Sequence, residues 1–396
     1  MALPAALPAL VADAAARPRT TGVAGLDILH DLEAAEPIWR LFEDRHQLLT
    51  PYQRFDFLSA WQREVGARHG LRPFILVAHD GERRPLLLLP LAIRRQLGVD
   101  TARFMGGKHA NFNMALCDRE FAASATIADL HTVISALRAQ GGADLLVLCQ
   151  QPKHWRDLPN PLAMLPHQAS ANDCPLLLMP PGTAPDALIS PSLRRRLQGK
   201  ERKLRQLKGY RHHLATSDDD IRRLLDWFFA TKPMRMAEQK LPNVFAKPGV
   251  EPFIRHACLT RLPDGGRVID LHALECDDEV IAIFAGIADG HRISMMFNTY
   301  TISAHSRLSP GLILTRMIVD HYAKRGFREL DMGVGADGYK NSFCKSDEPI
   351  FDSFIPLSLR GVIAAAAMSG LTRAKYLVKH NPNLLAAAQR LRGLLS

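Results

Sequence analysis

Apolar and polar positions along this 396-residue chain follow one pattern twice. In the first half, Pro73 to Gly81 reads as a strand and polar turn, Arg84 to Arg95 as a second strand, and Asp100 to Gly107 as a third. A helix is predicted near Ala123 to Gln140, then a strand over Ala143 to Gln150. In the second half, Val268 to Asp278, Glu279 to Gly290 and His291 to Tyr300 read as three strands. A helix over Leu312 to Arg325 and a strand from Arg328 to Gly335 follow. The separating turns, "HDGE", "CDDE" and "ADGHR", are polar turn signals suited to antiparallel hairpins. Strand, strand, strand, helix, strand, met twice, predicts a mixed α/β fold in two lobes.

Other segments are helical. "SPSLRRRLQGKERKLRQLKGYR" spaces Leu193, Leu197, Leu204 and Leu207 for one helix face, and Ser190 with Pro191 suits its start. "DDDIRRLLDWFF" opens with acids that favour a helix N-terminus. The end of the chain reads as two amphipathic helices broken at Asn381-Pro382.

Composition narrows the classes. Nearly half the residues are apolar, which permits a substantial core, but no run reaches the roughly 20 residues a membrane helix needs. The first residues, "MALPAALPALVADAAARP", lack a basic start and read as a disordered leader. Cysteines 117, 149, 174, 258, 276 and 344 form no C-x-x-C pair, which fits a reducing compartment and disfavours a disulfide framework or zinc ribbon. His212-His213, His256 and His272 have no zinc-ligand spacing, and no metal is expected. The net charge of +10 is uneven: Pro191 to Arg211 holds nine Lys/Arg and one acid, and the chain after Asp352 has six Lys/Arg and no acid. Such patches attract anions without choosing among phosphate, nucleic acid and acidic lipid.

The chemistry concentrates in "SRLSPGLILTRMIVDHYAKRGFRELDMGVGADGYK", from Ser306 to Lys340. Proline fits the first helical turn, glycine lets a ligand approach the backbone, and a helix N-terminus is an anion site. An ordinary loop-to-helix turn accounts for Ser309-Pro310-Gly311 equally well when taken alone.

In its context of strand, glycine-containing helix start, helix and strand, this stretch resembles the core of the GNAT acetyltransferase fold. More narrowly, "RLSPGLILTRMIVDHYAKRGFRELDMGVGADGYKNSF" resembles the C-terminal signature of the CelD/BcsL acetyltransferases, associated with cellulose and exopolysaccharide production and related to FemX-type transferases. The matching positions are Ser309-Pro310-Gly311, Gly326, Asp331, Gly335 and Tyr339-Lys340. "LTPYQRFDFLSAWQREVG", "SLRRRLQGKERKL" and "LVKHNPNLL" extend the resemblance over most of the chain. One departure stands out. The R/Q-x-x-G-x-G/A phosphate loop keeps only Arg307 and a displaced Gly311.

The resemblance implies acetyl-CoA as donor and an amino group as acceptor, with aminoacyl-tRNA-dependent transfer or non-catalytic nucleotide binding as alternatives on the same fold. Donor contacts fall on Met296, Phe297, Arg307, Ser309, Gly311 and Leu312. Backbone amides in Met295 to Asn298 are oxyanion candidates. Asp331 is expected to act as base or amine-orienting group, or else to cap a turn or pair with an arginine. Tyr339 is expected to protonate the leaving thiolate, or else to fill a domain seam. Asn298, Tyr300 and Lys340 are acceptor-side candidates, Lys340 otherwise being a surface charge. The expected organisation is a leader over 1–22, lobes over 23–175 and 176–358, and a basic helical tail over 359–396. Expected partners are a small-molecule or glycan substrate, cyclic di-GMP through the arginine run, and peripheral contact with the inner membrane or a polysaccharide synthase, without DNA. The expected location is cytoplasmic.

Overall fold

A computed structural model of the chain describes residues 22–43, 47–335, 338–381 and 383–384. The leader up to residue 21 and the second tail helix lie outside the described residues.

Two mixed sheets carry the fold, each with helices on its faces. In the first, Gly25–Leu29, Arg72–His79, Pro85–Gln96 and Val99–Phe104 pair antiparallel in order, and Leu145–Pro152 then pairs parallel to Val99–Phe104. The second repeats the plan. Arg211–Leu214, Asp270–Cys276, Glu279–Ala288 and Arg292–Tyr300 are antiparallel, and Glu329–Asp331 lies parallel to the last of them. Both parallel pairs are joined through a helix, as parallel pairing requires. The hairpin at Asp277-Asp278 has positive φ at both residues (49° and 58°), the backbone of a tight hairpin turn that polar residues tolerate.

The next strand in each sheet comes from elsewhere in the chain. Cys174–Leu178, which follows the first lobe, pairs with Glu329–Asp331 in the second sheet. Ile350–Pro356, which follows the second lobe, pairs with Leu145–Pro152 in the first. The lobes therefore exchange a strand. The linear range 176–358 contains a strand of the first sheet, and the range 23–175 ends inside a strand of the second.

Alternation along the second sheet divides two cores. Leu274, Ile281, Ala282, Phe284 and Ile293 bury against the central helix (Pro310–Lys324) and the basic helix (Pro191–Leu204). Leu271, Ala273, Ile283, Ala285 and Phe297 belong to a core continuous with that of the first lobe. Phe57 of the first lobe meets Phe253 of the second edge-on, with ring centroids 5.3 Å apart.

The helix expected near Ala123 to Gln140 is two, Arg119–Ser124 and Ile127–Gln140, because Thr126 caps the second. The basic helix starts as its sequence dictates, with Ser190 accepting from the Leu193 amide and Pro191 in the first turn. All six cysteines are free.

Candidate active site

The bulged strand Arg292–Tyr300 pairs with Glu329–Asp331 from Arg292 only as far as Ser294, which lies opposite Asp331. Beyond them the two strands part. On its other edge the register slips between Ala285 and Gly286, which leaves Met296 as the extra residue of a bulge. Main chain from Met295 onwards is thus released from its parallel neighbour, which suits an oxyanion-binding strand.

The first lobe reaches into this split. The Asn111 side-chain amide donates to the Met295 carbonyl at 2.9 Å, to the Tyr52 hydroxyl at 2.8 Å and to Asp331 Oδ1 at 3.4 Å. Asp331 also accepts from the Ser294 hydroxyl and from the Gly333 amide at 3.1 Å. Its relative exposure is 0%. Burial raises its pKa, opposed by the nearby Arg292 and by the bonds from Ser294 and Gly333. A base must reach the proton it takes. Asp331 instead spends its oxygens on four donors, counting the Cys174 thiol, and this makes it a positioning residue that ties the two lobes together.

Arg292, at the start of the bulged strand, is buried between Glu329 at 2.6 Å and Glu348 at 2.5 Å, with its guanidinium 4.2 Å from the centroid of Trp155. Its charge is fully matched, so it anchors the strand from below.

Downstream of the strand lies the start of the central helix. Ser309 adopts the left-handed conformation (φ 56°, ψ 52°), Pro310 occupies the first turn, no side chain caps the helix, and no acid lies in its first turn. Lys200 of the basic helix donates to the Ser309 hydroxyl at 2.7 Å and to the Arg307 carbonyl at 3.2 Å. Arg307 is exposed within the short 3-10 turn Ala304–Leu308. Positive dipole and positive side chains therefore converge. Gly311 packs closely on the strand end, since a Cβ there would stand 3.3 Å from Cδ1 of Tyr300. Tyr300 lies under the Arg235 guanidinium, 3.9 Å from ring centroid to Cζ, and bonds it through its hydroxyl.

Asn298 and Tyr339 also come together, the Asn298 amide donating to the Tyr339 hydroxyl at 3.2 Å. Lys232 donates to the Asn298 carbonyl at 2.9 Å. The split end of the bulged strand thus gathers Asn298, Tyr300, Tyr339, Ser309 and Gly311, with Lys200, Lys232 and Arg235 around them.

Two expected contacts change character. The Phe297 side chain belongs to the core, 4% exposed and 4.7 Å from Phe228 between ring centroids, which leaves its main chain alone for a donor contact. Lys340 is buried and turns inward, donating to the Gly333 and Gly335 carbonyls at 3.2 and 2.9 Å, so it braces the glycine turn rather than facing an acceptor. Met296 and Leu312 are half-buried, at the bulge and in the first helical turn. Sequence reading missed Lys232, Arg235, Tyr52 and Asn111. The proline inside "TKPMRM" and the polar turn "GGKHANFN" are the local signals that mark their segments.

Among the described residues, histidines enter two groups of ligand-type side chains, Cys276 with Asp277 and His305, and His213 with Asp220 and Glu275. His212 stacks on His272 with centroids 5.5 Å apart, and His272 bonds the Tyr322 hydroxyl at 3.1 Å. His213, Asp220 and Glu275 lie close together, but Arg211 and Arg223 pair with both acids' neighbourhood, Arg211 with Glu275 and Arg223 with Asp220 and Glu275. Two cavities lie away from the split. One of about 290 Å³ sits beside His167, Asp352 and Arg373, and one of about 180 Å³ beside Gly182, Gly326 and Phe327.

Comparison with known proteins agrees with this geometry. Residues 191–341 match the family model described as an acetyltransferase (GNAT) domain, a range that spans the basic helix, the bulged strand and the central helix. The match lies in the second lobe and supports an acyltransferase. Among solved structures, the fold is similar to the C-terminal domain of an Agrobacterium fabrum protein assigned as a lysylphosphatidylglycerol synthetase (TM-score 0.51, 12% identity, 86% of this chain and 96% of that one). It is also similar to a conserved Bacteroides thetaiotaomicron protein of unknown function (0.52, 11%, 83% and 99%) and to FemX (0.51, 8%, 83% and 97%). These likenesses show the fold alone, a two-lobed mixed α/β architecture shared with FemX. No curated protein matches the sequence.

Proposed function

We propose that the protein transfers an acetyl group from acetyl-CoA to an amino group, with an amino sugar of a glycan precursor as acceptor. The observation that carries the donor is the start of the central helix, uncapped and acid-free with Lys200 at its Ser309, placed just beyond a strand that has parted from its neighbour. Phosphates suit the first feature, and a thioester carbonyl suits the released main chain of the second. The acceptor rests on the CelD/BcsL-like signature ending in Tyr339-Lys340.

In this reading, Ser309, Gly311, Leu312 and Arg307 hold the donor and Met296 marks the oxyanion strand. Asn298 and Tyr300 face the acceptor side, and Tyr339, held by Asn298, gives its proton to the leaving thiolate. Asp331 sets the width of the split. CoA and acetyl-CoA are expected to raise the melting temperature. A ligand at about a hundred times its dissociation constant stabilises by about 2.7 kcal/mol, which a melting curve resolves. Tyr339→Phe should lower turnover with an unchanged melting curve. No shift with either CoA species overturns the donor assignment.

A second reading has one observation in its favour. The outward side of the basic helix keeps Arg195, Arg196, Arg202 and Lys203 exposed, while Arg194 and Glu201 turn inward to Asp320 and Arg316. That surface suits an aminoacyl-tRNA donor or a cyclic dinucleotide such as cyclic di-GMP. Transfer-RNA that shifts melting where CoA does not, with steep salt dependence, selects it.

A further inference from the structure

We infer that the C-terminal helix (Leu359–His380) is a membrane-surface element whose outer face rests on an anionic phospholipid bilayer. This is independent of the donor and acceptor assignments.

The helix is fixed to the first lobe along one side only. Ser358 caps it through the Gly361 amide at 3.2 Å, and the Ser358 hydroxyl donates to Asp144 at 2.5 Å. Gly361 lies so close to the Asp144 carbonyl that a Cβ would fall 1.8 Å from it, and Ala365 packs against Leu145 and Val147. Gly361 and Ala365 are its buried positions.

The opposite side is apolar and, among the described residues, uncovered. Leu359, Ile363, Ala366, Gly370, Ala374 and Leu377 recur at steps of three and four, and all are exposed. Leu359 is 87% exposed, Ile363 75%, and the flanking Leu371 58%. Aligned along a helix of about 33 Å, these side chains form a continuous apolar strip, the kind of patch that marks an interaction surface.

Charge selects the occupant. The helix carries Arg360, Arg373, Lys375 and Lys379 and no acid, with Arg373 and Lys379 bonded to Gln168 and Asn172 of the first lobe and Arg360 and Lys375 exposed. A second copy of the same face would bring the same positive charge with no acid on the helix to match it. A bilayer carrying anionic headgroups answers both features, apolar strip and basic flanks. No described helix is long and apolar enough to cross a membrane, which agrees with a helix lying on the surface.

The test is flotation of the full chain with vesicles of phosphatidylcholine alone and of phosphatidylcholine mixed with phosphatidylglycerol. Binding is expected with the mixed vesicles and is expected to weaken as salt rises. The double variant Ile363→Asp, Leu371→Asp should bind at least about tenfold more weakly, since two exposed apolar anchors become acids. Arg360→Gln and Lys375→Gln should each cost about fivefold. All four positions are exposed, so unchanged melting curves certify the fold. Three results overturn the inference: no flotation with anionic vesicles, flotation that the double aspartate variant leaves unchanged, or self-association without vesicles that the same variant abolishes. The last would give the strip to a second copy.

Discussion

Each lobe places a helix between the two strands of its parallel pair, and the two helix starts are chemically opposite. In the first lobe Thr126 and Asp129 form a reciprocal capping box, and Asp129 also accepts from the Val23 amide at 3.0 Å. Although burial pushes the Asp129 pKa up, the bonds from Thr126 and Val23 hold it below its ordinary value, so a fixed negative charge fills that N-terminus. In the second lobe the start has no side-chain cap and no first-turn acid, and Lys200 stands over it. One start has supplied its own anion and the other awaits one. Duplicated architecture therefore does not mean duplicated sites. The first lobe serves the second by inserting Asn111 and Tyr52 into its split.

The largest effect should come from breaking that insertion at its receiving end. Asp331→Ala leaves the buried Ser294 hydroxyl and Gly333 amide without this acceptor and takes the weakest of its three acceptors from the Asn111 amide, at a cost of about 3 kcal/mol. Asp331→Asn keeps one acceptor oxygen and should cost about 1 kcal/mol. Chemical denaturation measures both. If Asp331 only positions the split, the asparagine variant should keep acetyl transfer within about a hundredfold of the parent, a smaller loss than removal of an essential base together with its general-base contribution of up to about 10⁴. A larger loss at wild-type stability returns the carboxylate to the chemistry.

The parts of this arrangement that sequence reveals are the local ones. Strand periodicity, the Asp277-Asp278 turn and the helix start at Pro310 depend on neighbours a few residues away. Pairing partners do not. Nothing in "CPLLL" says that it will join Glu329–Asp331, and nothing in "IFDSFIP" says that it will return to the first sheet, because either apolar strand satisfies any open edge. The same limit applies to side-chain direction. Lys340 and Asp331 look like surface chemistry in a glycine-rich stretch, yet distant partners turn both inward, and Phe297 lies on the core face of a strand whose bulge resets alternation. Tyr339 and Asn298, 41 residues apart, were both legible as polar candidates, while their contact was not.

A second contrast concerns acid. In the second lobe, burial first and neighbouring histidines next push His212 down to about 4 and His272 well below its ordinary value. The unfolded chain binds these protons near pH 6.5, and the folded one resists them. Both pKa values are depressed on folding, so their stabilising contribution is full above about pH 6.5 and is lost as pH falls towards 4. The slope should approach about 1.4 kcal/mol per pH unit for the fully buried His272 and less for the partly exposed His212. His272→Gln should flatten the pH dependence of denaturation midpoints. An unaltered slope would place the acid sensitivity outside this cluster.

The smallest expected effects separate the two helix starts directly. Thr126→Ala removes half of the first-lobe capping box and should cost about 1 kcal/mol of stability, with CoA affinity unchanged. Lys200→Glu should do the reverse. It brings an acid to the Ser309 hydroxyl and the Arg307 carbonyl, and replaces a partner of bound phosphate with a competitor for the same helix dipole. Charge–dipole effects of about 1 kcal/mol or more correspond to at least a fivefold loss of CoA affinity. The lysine is half-buried within its helix and its two bonds run to groups near the surface, so the stability change should stay within about 0.5 kcal/mol. Titration calorimetry with CoA and denaturation of the same two proteins form a two-by-two comparison, in which each substitution moves one quantity and not the other. Weaker CoA binding in Thr126→Ala, or unchanged binding in Lys200→Glu, would show that the division of labour between the two starts is wrong, because the first would give the capped start a share in the donor site and the second would free the uncapped start of its basic neighbour.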